Sequence, residues 1–200
     1  MKIENKEHQS PINTKIKLIT LWGGGGCGKD TLLNHAIQQL PELHKVISYT
    51  TRTKRDYEQE GIDYYFIDKE DFTQKLLKGD IIEASTWDDE FYGTGISALD
   101  PDKVNIQILN TEGIEILSDD PRIDIIPIYI AVEEKTRLLR MINREEHPDC
   151  AKICRRILQD EEMLNKEQAF DSITYYNGDS IPLENFITFL RDYGLLSKND

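Results

Sequence analysis

Two hundred residues, 38% apolar and 30% charged, make one polar globular unit of ordinary size and exclude a disordered or fibrous chain. Lys and Arg number 24 against 37 Asp and Glu, and the formal net charge of −13 argues against a binder of bulk nucleic acid. Three cysteines are too few for a disulfide framework and no apolar run reaches bilayer length, so the expected setting is a reducing cytoplasm with no membrane partner.

Residues 1–14 are polar, lack the apolar stretch of a signal peptide, and are expected to be a disordered leader before a domain at 15–200. The segment 15–22 (KIKLITLW) is a β-rich run that stops at four glycines. Residues 31–40 then place Leu32, Leu33, Ala36, Ile37 and Leu40 on one helical face, and Pro41 ends the pattern. Strands are expected at 46–50, 64–67 and 80–87, a helix at 71–77 stopped by Gly79, and a turn at 88–90. The second half reads as strands at 104–109 and 123–130, helices at 133–144 and 152–166, a strand at 173–176, and a helix from Leu183. Strands alternating with helices predict an α/β fold with a parallel sheet flanked by helices. The strand-rich stretch at about 48–94 predicts a small inserted lobe.

Gly23, Gly24, Gly25, Gly26, Cys27, Gly28 and Lys29 have the G-x-x-x-x-G-K spacing of a phosphate-binding loop. Consecutive amides converge on a phosphate only where side chains do not block the approach, and the following helix adds its positive N-terminal end. Lys29 supplies a mobile charge for the outer phosphates. The residue after the lysine is ordinarily Ser or Thr, whose hydroxyl ligates Mg²⁺; here it is Asp30, and Thr31 comes one place later. A carboxylate beside polyphosphate is repelled unless a cation lies between them. Asp30 is therefore expected to ligate Mg²⁺, the alternative being a helix cap turned to solvent.

The stretch Ser48-Tyr-Thr-Thr-Arg52-Thr-Lys-Arg55-Asp-Tyr-Glu58, followed by Gly61-Ile-Asp63-Tyr64-Tyr-Phe66, resembles the acceptor-binding segment of the guanylate kinases. Glu83 in IIEAS and the run Phe91-Tyr92-Gly93-Thr94 resemble two further stretches of that family, and the likeness extends from about Leu18 to Asp179. The resemblance implies a P-loop kinase fold with a β-rich acceptor lobe (about 48–94) and a helical lid (about 140–156). It implies transfer of the γ-phosphoryl of ATP to GMP or dGMP, with Mg²⁺ as cofactor, in a monomer or small homo-oligomer. Arg52, Arg55, Tyr64 and Tyr92 would hold the acceptor phosphate, and Ser48, Glu83 and Thr94 would read the guanine edge. The chemistry agrees: two arginines can fork onto one phosphate, and a carboxylate accepts from guanine N1–H and the 2-amino group together.

The family's D-x-D-x-x-G pattern, aligned on Gly113, falls on Ile108 and Asn110. Asn110 keeps an oxygen for the guanine amino group, whereas Ile108 cannot serve a cation. Arg140, Arg144 and Arg156 fall at the family's lid arginines, where positive charge would surround the moving phosphoryl group. His147, Cys150 and Cys154 share a helical face in the same segment, but a zinc staple would still need a fourth ligand. Two alternatives stay open. One is an allied P-loop kinase acting on a ribose bisphosphate, as Asp30 and Asn110 suggest; the other is a catalytically weak guanylate-kinase-like binding module.

Overall fold

The computed structural model describes residues 15–56, 58–87, 89–144, 146–164 and 171–196. The leader expected at 1–14, residue 88 of the expected turn and the end of the helix expected to reach 166 lie outside the described residues. In chain order the first half contains β1 (Ile16–Trp22), α1 (Lys29–Gln39), β2 (Leu43–Lys45), β3 (Tyr49–Thr50), β4 (Tyr65–Phe66), α2 (Lys69–Lys78), β5 (Ile81–Trp87) and β6 (Glu90–Gly95). The second half contains β7 (Val104–Ile108), α3 (Thr111–Ser118), β8 (Ile123–Ala131), α4 (Glu134–Ile142), α5 (Cys150–Leu164), β9 (Ile173–Tyr176) and α6 (Glu184–Asp192).

β1 lies at the centre of a five-stranded parallel sheet of order β2-β7-β1-β8-β9. Its alternating residues feed opposite faces. Ile19 and Leu21 join Leu32, Leu33 and Ala36 of α1 and Phe186, Ile187 and Leu190 of α6 in one core. Leu18 joins Val46, Leu99, Leu117 and Ile123 in the other, beneath α3. Covered on both sides, β1 needs apolar residues at nearly every position, which is why 18–22 is apolar but for Thr20. Each fully buried Leu or Ile contributes about 1.5–3 kcal/mol, so the central strand anchors the loop that follows it.

A second, mixed sheet has the order β4-β3-β6-β5. β3 pairs parallel with β4, and β6 runs antiparallel to both β3 and β5. Helix α2 closes it with Phe72; Asp68 caps its start by accepting from the Asp71 amide at 2.8 Å, and Gly79, at φ 78°, ends it.

Two expected elements need correction, and β6 and α3 were not among those expected. Helix α1 begins at Lys29 rather than 31, because Gly28, in the left-handed region at φ 88°, turns the chain directly into it. The strand expected at 46–50 divides: Val46 still bonds Ile106 of the large sheet, and the chain then crosses to form β3 at Tyr49–Thr50. The segment 90–95, rich in glycine, is the strand β6; close backbone packing, not side-chain pattern, holds it. Helix α3 was not anticipated, since Gly113 weakens the local propensity; Asn110 caps it through its side chain, and Thr111, Ile114 and Leu117 bury one face. Among the described residues no helix is long and apolar enough to cross a membrane.

Candidate functional site

The loop 23–28 leaves the C-terminal end of the central strand and enters α1, where no side chain among the described residues caps the helix. In this α1 is like α4 and α6 and unlike α2 and α3, which carry side-chain caps; what sets α1 apart is the glycine loop that leads into it, which gives its first turn the form of an anion site. A Cβ on Gly26, which sits at φ 76°, would meet the Arg137 carbonyl, so both conformation and space demand glycine there. Lys29 folds back over the loop, donating to the Gly23 carbonyl at 2.7 Å and the Gly24 carbonyl at 3.1 Å. Cys27 is fully buried beneath it, and Asp30 and Thr31 are exposed at the first helical turn.

The second half of the chain closes over this loop with side chains that the sequence pattern did not single out. Asn177, just past β9, donates to the Cys27 carbonyl at 2.8 Å. Arg137, on α4, donates through Nε to the Gly25 carbonyl at 2.9 Å and through Nη2 to Asp160 at 2.5 Å. Asp160, on α5, in turn accepts from the Gly25 amide at 2.6 Å. Arg137 stands one helical turn before Arg140, a spacing that puts both on one face and could have drawn attention to it.

Of the three arginines singled out, Arg140 reaches the Gly26 carbonyl at 3.3 Å and pairs with Asp179 at 2.6 Å. Arg156 donates through Nε to Asp160 at 3.0 Å. Arg144 is exposed beyond α4 and is not drawn into this cluster. Cys150 and Cys154 are exposed thiols, and among the described residues no group of three or more His, Cys, Asp or Glu is gathered to hold a metal. The zinc staple is not assembled.

On the smaller sheet, Arg52, Tyr64 and Tyr92 come together. The Arg52 guanidinium lies 5.1 Å from the Tyr64 ring centroid, and the Tyr64 and Tyr92 rings meet edge-on at 6.0 Å. Glu58 organises this cluster: it takes both Arg52 nitrogens, at 2.5 and 2.7 Å, and accepts from the Arg55 amide at 2.9 Å. Hydrogen bonding to Arg52 drives the Glu58 carboxyl down to about 2, and Glu58 in turn raises the Arg52 pKa. The Arg55 side chain is exposed and reaches Glu58 only at 3.9 Å. Burial raises the Tyr64 phenol, with a lesser push from the Asp30 carboxylate. Ser48 is half-buried at the entry to β3, and its carbonyl accepts from the Tyr65 amide.

Glu83 occupies a different environment. A bulge in β5 between Ile81 and Glu83 sets it opposite Thr94, whose hydroxyl donates to Oε2 at 2.8 Å. The residue is 2% exposed, and Oε1 is buried with no hydrogen-bond partner. Burial pushes the carboxyl up to about 7 despite the Thr94 hydrogen bonds. A Cβ on Gly113 would lie 2.8 Å from Oε1 and 3.2 Å from Asn110 Oδ1, so Glu83 and Asn110 converge on the glycine in the first turn of α3. Gln107 completes the group, with Oε1 3.3 Å from the Thr94 hydroxyl and a buried, unpartnered Nε2. It was missed because glutamine on a strand carries no motif.

For a divalent cation the donor set is lean. Asp30 offers an exposed hard oxygen beside the loop, while Ile108 packs against the core and offers none. Mg²⁺ commonly uses one or two carboxylates together with substrate phosphates and water, and a single carboxylate here fits that pattern.

The guanylate kinase family model matches residues 15–181. A guanylate kinase of Synechococcus sp. (strain JA-3-3Ab) is 29% identical over 181 residues, covering 86% of this chain and 80% of that protein. One of Chlamydia felis (strain Fe/C-56) is 33% identical over 138 residues, covering 65% of this chain and 67% of that protein. The crystal structure of guanylate kinase from Anaplasma phagocytophilum superposes with a TM-score of 0.64 at 21% identity, covering 92% of this chain and 88% of that one, and so shares the fold. The chain belongs to the guanylate kinase family.

Proposed function

We propose that the protein transfers the γ-phosphoryl group of ATP to a phosphate oxygen of GMP or dGMP, giving ADP and the nucleoside diphosphate. The observation that carries this reading is Glu83: a buried carboxylate with one oxygen satisfied by Thr94 and the other unpartnered. A guanine edge offers two adjacent N–H donors to such a group, and neither adenine nor a sugar phosphate does. Asn110, converging on the same glycine, would add an acceptor for the 2-amino group, though its Oδ1 also caps α3. Ser48 would flank the base, and Arg52, Arg55, Tyr64 and Tyr92 would hold the acceptor phosphate, with Glu58 presetting the Arg52 guanidinium.

In this reading the residues 23–31 cradle ATP, Lys29 leaves the loop carbonyls for the outer phosphates, and Arg140, Arg144 and Arg156 bring positive charge to the group in flight. Asp30 would hold Mg²⁺, which when bound neutralises phosphate charge. The 48–94 stretch acts as the acceptor lobe and 140–156 as a lid, in a protein working in the cytoplasm as a monomer or small oligomer on nucleotides alone.

A second reading, a guanine-nucleotide-binding module with feeble transfer activity, is favoured by Ile108, an apolar side chain packed against the core where the family pattern has a carboxylate. A coupled assay of ADP release across GMP, dGMP, AMP, UMP and a ribose bisphosphate separates these readings. GMP or dGMP is expected to be the preferred acceptor. Equal rates with AMP or UMP would overturn the guanine assignment, and binding without turnover would favour the module.

A further inference from the structure

The phosphate loop is already holding an anion, and that anion belongs to the protein. Asp160 Oδ2 accepts from the Gly25 amide at 2.6 Å and from Arg137 Nη2 at 2.5 Å, while Oδ1 accepts from Arg156 Nε at 3.0 Å. Arg137 is tied into the same knot through the Gly25 carbonyl at 2.9 Å. Asp160 is 2% exposed and Arg137 8%. The guanidinium lies so close over Gly24 that any side chain there would run into it. One loop amide and two guanidinium groups converging on a single oxyanion is the donor set that proteins present to phosphate.

We propose that Asp160 is a built-in stand-in for a phosphate of the nucleotide, and that ATP displaces it from the Gly25 amide and from Arg137. Arg137 thereby becomes a phosphate-binding residue of the reaction. The inference rests on the reading of residues 23–31 as an ATP cradle. Two anions compete for one set of donors. A carboxylate left beside an arriving polyphosphate would repel it, whereas a carboxylate that withdraws hands over donors already in position. The exchange keeps Arg137 paired at every stage, which a buried guanidinium requires. It also links the loop to α5: Asp160 can leave Gly25 only if α5 shifts or its side chain turns away, so nucleotide entry breaks the contact between the loop and this helix.

The test is ATP affinity measured by calorimetry on the full chain for wild type, Asp160→Asn, Asp160→Ala and the apolar double variant Arg137→Met/Asp160→Leu, with thermal midpoints recorded with and without ATP. Removing a competitor should tighten ATP binding at least about fivefold in both Asp160 single variants. Their midpoints without ATP should fall, and ATP should restore more of the loss than it adds to wild type. The double variant should remain folded and lose the gain in affinity, because Arg137 is its source. A purely structural clasp would lower the midpoint and leave affinity unchanged or weaker; that result in a folded Asp160→Asn protein overturns the stand-in. Binding of ATP by the Asp160 variants but not by wild type supports it most strongly. No binding by any of the four proteins would overturn the ATP-cradle reading and this inference with it. ATP binding by wild type with no gain in the variants overturns this inference alone.

Discussion

The two halves of the candidate site are built from different materials. The loop side is made chiefly of backbone: amides and carbonyls of 23–28, a left-handed Gly28 and a helix start without a side-chain cap, over which Lys29, Arg137 and Asp160 fold. The acceptor side is made of side chains delivered by separate strands, with Arg52 after β3, Tyr64 before β4, Glu83 from β5, Tyr92 and Thr94 from β6, and Asn110 after β7. The difference teaches where tolerance lies. A backbone site tolerates side-chain changes except at its glycines, its lysine and the few groups that contact it, whereas a side-chain site can be retuned one residue at a time.

The largest expected effect lies on the backbone side. Lys29→Ala should lower kcat by roughly two to three orders of magnitude, while GMP binding stays nearly intact because most acceptor contacts lie on the other sheet. Steady-state kinetics with GMP titration reads both, and unchanged turnover would remove the phosphate-loop assignment.

Glu83→Gln sharpens the comparison from the other side. An amide cannot accept from two donors as a carboxylate does, and each lost charged hydrogen bond costs about 1.5–3 kcal/mol, roughly 10- to 100-fold in preference for GMP over other monophosphates. The pH dependence carries a definite sign. The buried carboxyl titrates near 7, above its ordinary value, so it favours its neutral form in the free protein. Its contribution to fold stability is therefore full at low pH and declines as pH rises through about 7. Guanine needs the ionised form, so kcat/KM for GMP should climb through the same range and level off above it. A kcat/KM profile flat from pH 6 to 8 would disconnect Glu83 from the base.

Asp30, exposed at the first turn of α1, adds to the upward push on the Tyr64 phenol. Asp30→Ala should raise the Mg²⁺ needed for half-maximal rate severalfold, and Asp30→Ser should recover part of the loss. An alanine variant with the wild-type Mg²⁺ titration would leave the carboxylate as a simple helix-terminus charge.

The smallest effect belongs to the support beneath Arg52. Hydrogen-bonded by Arg52, Glu58 holds its proton only near pH 2, below its ordinary range, so its stabilising contribution is present above about 4.5 and disappears as pH falls toward 2. Glu58→Gln should lower the urea midpoint at pH 6, and the gap to wild type should close between pH 4.5 and 2. A gap of constant size across that range would mean that the ion pair adds nothing beyond its shape.

The amino-acid sequence by itself determined the strand, loop and helix of the phosphate cradle, the alternation behind the parallel sheet, and which acceptor residues to inspect. These are local features: Gly23 to Lys29 act through their own contiguous backbone, and motif spacing carries them. Tertiary structure alone decided the partnerships. Asp160 meets Gly25 across 135 residues and Arg137 across 23, and no periodicity in α4 or α5 announces either contact. Glu58 gives no sign in the sequence that it will take both nitrogens of Arg52, nor Gln107 that it will join Glu83 and Thr94. The physical reason is that a backbone cradle is specified by conformational freedom, written residue by residue in glycine. A side-chain cluster is specified by which surfaces the packed sheets and helices bring face to face.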